Sequence, residues 1–127
     1  KTMKKSALIA FAALATSAVV GCSFAARSPD MFRDDTKKLF ETKHNDMKAC
    51  YDGVLKGTPG AAGKVTIKFT WEKSTGALQN PTVDPAATTA PAPVQECVTK
   101  NLGGLVMNPA DAREGQGTWA FDFAPGH

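Results

Sequence analysis

Histidine is nearly missing from this chain. Of 127 residues two are histidine, His44 in a charged stretch and His127 at the last position. There is no HExxH pair and no Cys/His cluster at ligand spacing, so a zinc centre is not expected. No Cys-x-x-Cys pair exists, and no basic residue is obviously placed to lower a thiol pKa, which argues against thiol redox catalysis. The glycine-rich run GTPGAAG at 57–63 lacks the Lys-Ser/Thr of a phosphate loop and leads into a strand pattern, not a helix. Asp34 and Asp35 fit a helix N-terminus, and Asp111 and Glu114 fit a solvated loop. The expectation is a non-enzyme with no metal and no cofactor.

An excess of one charge is also missing. The formal net charge is +3, from 15 basic and 12 acidic residues. Lys1, Lys4 and Lys5 supply that excess, and all three precede an apolar run that looks cleaved. The other 12 basic residues face 12 acidic ones, so the electrostatic case for a nucleic-acid partner falls away. A long apolar run is the third absence. Residues 7–20 (ALIAFAALATSAVV) are apolar or small, but a spanning helix needs about 20 residues. A basic start followed by a short apolar run fits a signal peptide over 1–21.

That run ends Val19-Val20-Gly21-Cys22. The pattern resembles the bacterial lipobox, which implies cleavage before Cys22, a diacylglycerol on its thioether and acylation of the new amino group. Two or three acyl chains give stable anchoring, at about 0.8 kcal/mol per buried CH₂. Ser23, not Asp, follows Cys22, which under an enteric-like sorting rule implies the outer membrane. Residues 22–29 are expected to form a short tether that keeps the domain close to the bilayer.

What is present is one strongly patterned strand. In GKVTIKFTWEKSTGAL (63–78), Val65, Ile67, Phe69 and Trp71 alternate with polar residues. Period two places the four apolar side chains on one face. Lys73-Ser74-Thr75-Gly76 then predicts a tight turn, with Gly76 at a left-handed position. The returning strand, 77–84, contains Pro81 and mismatched parity at Leu78 and Val83. It therefore predicts a bulge or an edge near Pro81. Upstream, Ser28-Pro29-Asp30 is a helix N-terminus, with Ser28 as the cap. Met47, Cys50, Tyr51, Val54 and Leu55 follow helical spacing until Gly57 and Pro59 stop it. The earlier part of this helical stretch is less regular. Downstream, 85–93 is a loop. Val94, Cys97, Val98, Leu102 and Leu105 form a second helical stripe, and 106–117 is a polar connection. Residues 118–123 alternate again, with Trp119, Phe121 and Phe123 inward.

The predicted class is α+β: one domain over 30–127, in a helix-strand-strand-helix-strand layer with a three-stranded antiparallel sheet. A core this small often needs a staple. Cys50 and Cys97 lie on the stripes of different helices, and export implies an oxidising compartment. A disulfide between them is the expectation, against the alternative of two buried thiols.

Ala49-Cys50-Tyr51, a glycine before the KVTIKFTWE strand, the glycine turn, VQECV at 94–98, Leu102 and a closing aromatic strand together resemble the AgmX/PglI C-terminal domain family. That family occurs in gliding and predatory bacteria and is similar to the TonB C-terminal fold. The resemblance spans 47–123, and the family's paired cysteines match Cys50 and Cys97. It implies a TonB-C-like fold and an interaction module facing the periplasm. The lipobox and short tether replace the inner-membrane helix and proline-rich arm of TonB-like chains, so energy transduction is not implied.

The expected partners are the membrane, through Cys22, and an envelope protein or peptide. The candidate edge for strand addition is Thr118, Trp119, Ala120, Phe121, Asp122 and Phe123, flanked by Tyr51 or the 85–93 loop. Pairing of that edge with a second copy, as a homodimer, is the nearest rival. The alternative function is an envelope inhibitor or small-ligand-binding lipoprotein, with loops 85–93 and 107–117 as its surface.

Overall fold

The alternating strand lies at the centre of the sheet. In the computed structural model, which describes residues 26–126, it is β1 (Gly63–Trp71), flanked by β2 (Leu78–Val83) and β3 (Gly115–Phe123). Both pairings are antiparallel and the order is β2-β1-β3. Three helices complete an α+β fold: α1 (Pro29–Glu41), α2 (His44–Gly57) and α3 (Ala92–Leu102). Val65, Ile67, Phe69 and Trp71 are all buried, while Lys64 and Lys68 on the opposite face are exposed. The helices contribute Phe40, Met47, Tyr51, Val94, Val98 and Leu102 to the same cluster.

The helical stretch before β1 is two helices, its less regular early part forming one of its own. The Ser28 side chain caps α1 by accepting from the Met31 N–H at 3.1 Å, with Pro29 in the first turn. At the other end the Thr42 hydroxyl donates to the Leu39 carbonyl at 2.6 Å and Lys43 N–H to Phe40 O at 3.0 Å, so the chain turns there. The irregular spacing of Phe32, Leu39 and Phe40 reflects a helix that packs through few residues. Phe40 is nonetheless an aromatic hub, with ring centroids 5.2 Å from Phe69, 5.6 Å from Trp119 and 5.7 Å from Phe121. Thr36 is buried beside it and accepts a 3.1 Å hydrogen bond from Trp71 Nε1. That bond satisfies the indole where it would otherwise be stranded in the core.

Cys50 and Cys97 form a disulfide joining α2 to α3, with Cα atoms 5.7 Å apart. The β1–β2 turn closes with Gly76 at φ +75°, where a Cβ would fall 2.0 Å from the Met107 carbonyl oxygen. The β1–β2 register slips by one residue between Lys68↔Thr82 and Thr70↔Gln79, with Asn80 at φ +48°. This is a bulge beside Pro81, and β2 lies at the sheet's edge.

Three expectations need correction. Residues 106–117 are not simply a polar connection. Leu105 and Met107 are buried, Val106 bridges Ala77 in antiparallel fashion, and Leu78 N–H donates to Leu105 O at 2.9 Å. This short segment forms a fourth rung beside β2. The last strand starts at Gly115, not 118. Glycines hid its apolar alternation, because rings from elsewhere fill their places. A Cβ on Gly115 would meet Phe32 Cε2 at 2.0 Å, and one on Gly117 would meet Phe69 Cζ at 2.6 Å. Lastly, the 22–29 tether ends sooner than expected, because Arg27 is only 7% exposed and bound into the body.

Candidate functional site

The sequence-derived edge, Thr118 to Phe123, does lie on an edge strand, since β3 has β1 on one side only. All nine residues of β3 pair with β1. In an antiparallel ladder, alternate residues turn both backbone groups away from the partner strand. Among the described residues, no backbone hydrogen bond outside that ladder reaches 115–123. Trp119, Phe121 and Phe123 are half-buried and pack against the core, while Thr118, Ala120 and Asp122 are exposed on the other face.

A groove follows this edge between β3 and the helices α1 and α2. It consists of four adjoining depressions. The first lies between Phe32 and Gly115, and the second between Arg33 and Gly117. The third lies between Lys37 and Trp119, and the fourth between Lys48 and Phe123. Consecutive depressions share Phe32, then Trp119, then Phe121, so the four follow one another along the strand. Its apolar lining comes from Phe32, Phe40, Met47, Tyr51 and the alternating aromatics of β3. An extended segment placed beside β3 would find unpaired N–H and C=O groups at its backbone and an apolar slot for every second side chain.

Tyr51 flanks the edge as expected, its ring centroid 5.0 Å from that of Phe123. Its hydroxyl donates to the Ala61 carbonyl, which fixes the ring. The 85–93 loop does not flank it. Thr89 and Ala90 N–H donate to Lys64 O, and Thr88 Oγ1 accepts from Thr66 N–H, on the β2 side of β1. The loop thus continues the covered edge where β2 ends. Loops 85–93 and 107–117 do not meet either. The first binds Lys64 and Thr66 near one end of β1, and the second leads into Gly115 opposite Trp71 at the other.

Sequence reasoning missed the Arg27 clamp at the Gly115 end of the groove. Arg27 Nε donates to Asp35 Oδ2 at 2.7 Å, and its guanidinium also donates to the Pro109 carbonyl at 2.7 Å. Its backbone N–H donates to Asp111 Oδ2 at 2.9 Å, and Arg113 N–H donates to Asp111 Oδ1 at 3.0 Å. Asp111 is therefore no solvated loop residue; it is 6% exposed. Burial pushes its carboxyl pKa up, but the two backbone N–H donors and the two guanidinium charges outweigh that and hold it below the ordinary 3.8. The contacts of Arg27 with Asp111 and Pro109 join residues 84 and 82 positions apart, so no local spacing announces them.

Cys22, the signal peptide 1–21 and His127 lie outside the described residues. His44 lines the third and fourth depressions of the groove. No group of three or more His, Cys, Asp or Glu side chains among the described residues is arranged to hold a metal. No protein family, curated protein or solved structure matches the chain.

Proposed function

We propose that this chain is a non-enzymatic lipoprotein of a bacterial envelope, anchored through Cys22 and facing the periplasm. Its domain acts as an interaction or scaffold module that takes up an extended segment of an envelope protein along β3. The observation that carries this reading is the nine-residue edge of β3, uncovered among the described residues and backed by a row of apolar depressions. The lipobox at Val19–Cys22 supports the anchor, and Ser23 after it supports the outer membrane. The spacing likeness to the AgmX/PglI C-terminal domain supports a TonB-C-like module in an assembly such as a motility apparatus.

The test is a ¹⁵N spectrum of the protein titrated with short peptides of alternating apolar and polar residues. The expected result is shift changes confined to 115–123 and the groove walls at Phe40, Met47 and Tyr51. Peptides that leave those amides unmoved sink the proposal. Shifts at the same amides that grow with protein concentration, without peptide, give the edge to a second copy of the chain instead.

A further inference from the structure

The Arg27 clamp has a mechanical consequence for an anchored protein. Arg27 is five residues after Cys22, and five extended residues reach at most about 18 Å. Its backbone N–H binds the Asp111 carboxylate, and the Asp111 carbonyl accepts from Ser74 N–H in the β1–β2 turn. Arg27, near the start of the described residues, is therefore held at the hairpin end of the sheet. Gly63 and Phe123 pair at the opposite end, eight strand steps or about 26 Å away. A leash of about 18 Å does not let the domain stand on that far end with the Arg27 end about 26 Å above the bilayer.

A second observation falls at the same end. Two large apolar side chains are exposed among the described residues, Met31 at 54% and Val106 at 49%. Met31 is in the first turn of α1, its N–H on the Ser28 cap, and Val106 bridges Ala77 at the base of the hairpin turn. Single exposed apolar residues are ordinary, but both of these lie at the end of the sheet that holds Arg27.

We infer that the anchored domain stands on the lipid headgroups with this hairpin end, so that β3 and its groove run away from the membrane. The surface is formed by the 73–76 turn, Val106 and the start of α1, and its occupant is the bilayer interface. The inference rests on the lipid-anchored reading. It adds a direction to it: a segment added to β3 would run along the membrane normal, with the Tyr51–Phe123 end of the groove farthest from the lipid.

The experiment uses the full chain, extracted with its lipid, its intact mass measured, and reconstituted in nanodiscs carrying a gadolinium-chelate headgroup lipid. Amides at 73–76 and 106–112 are expected to lose several-fold more intensity than those at 58–62 and 124–126. An acylated mass with uniform or reversed loss overturns the orientation alone. A mass without acyl chains overturns the anchored reading and the orientation with it. A Gly-Ser insert of about ten residues ahead of Ala26 adds roughly 30 Å of reach and leaves Arg27 in place. It is expected to flatten the gradient, and a gradient unchanged by the insert overturns the short leash as its cause. Asp111→Ala, provided its spectrum remains dispersed, removes the acceptor of the Arg27 N–H and is expected to flatten it too; an intact gradient in that variant removes the clamp from the account.

Discussion

On the β2 side of the sheet, each stretch of edge has been met by something. Leu105 to Met107 pair beside the start of β2, a bulge and Pro81 interrupt its middle, and Asp84 to Ala90 bond to β1 beyond its end. On the β3 side nine residues run in unbroken register with β1, without proline, bulge or covering segment among the described residues. Natural sheets blunt their edges because an open one recruits other chains. Among the described residues, several such devices fall on one edge, and only the exposed charge of Asp122 on the other. The physical contrast is why β3, and not the loops, is the candidate docking element.

The largest test of that contrast is the link between the two sides. The Cys50–Cys97 bond ties α2, which walls the β3 groove, to α3, which packs near β2. Closing a loop with a sequence separation of 47 contributes about 4 kcal/mol in the chain-entropy model. Replacing both cysteines by serine is expected to lower the unfolding free energy by about that amount in urea titrations. A loss below about 1 kcal/mol would mean the halves are held by packing alone.

Next in size is a pair of glycines, one from each side. Gly76→Ala puts a Cβ against the backbone oxygen of Met107 at a positive φ, and neither can yield cheaply. We expect about 3 kcal/mol of destabilisation. Gly117→Ala on β3 meets only the far end of the Phe69 ring, and about 1 kcal/mol is expected. Equal losses in thermal unfolding would erase the distinction between a backbone-locked edge and an edge backed by side chains.

Much of this was legible because it is local. Alternation from Val65 to Trp71, the Ser28-Pro29 cap, Gly76 and the two cysteine-bearing stripes all follow from spacings within a few residues. The covered edge was not legible, because it depends on backbone bonds between segments with no shared pattern: Leu105 with Leu78, Thr89 with Lys64. Nor was the clamp, since nothing around Arg27 distinguishes it from a tether residue. The groove was half legible. The β3 aromatics announce one wall, but Phe40 and Met47 belong to helices whose placement beside β3 is a tertiary fact.

The clamp gives the third prediction. Asp111 bonds the backbone N–H of Arg27, and its carbonyl reaches Ser74 on the hairpin, while Arg113 leads into β3. It therefore joins both sides at one end. Its folded pKa lies below 3.8, so its contribution to stability is present above that value and disappears as pH falls through the folded one. Asp111→Asn is expected to cost about 2 kcal/mol at neutral pH. The difference from the native protein should shrink as pH drops below about 4. A difference that is flat across that range would mean that the charge plays no part in the clamp.

The smallest expected effect is the most informative about the open edge. Ala120 is exposed at the centre of β3, on the sheet face away from the helices and the groove. A lysine there buries nothing, so Ala120→Lys should change stability by no more than about 0.5 kcal/mol. Yet edge lysine is one of the devices by which sheets resist an added strand. The variant should therefore keep its melting temperature and its spectrum while losing the peptide-induced shifts at 115–123. If docking survives unchanged, the added segment engages the groove through side chains without extending the sheet. If stability itself falls by more than about 1 kcal/mol, Ala120 is already covered by another part of the chain or by a second copy. In that case the asymmetry between the two edges does not hold for the protein in solution.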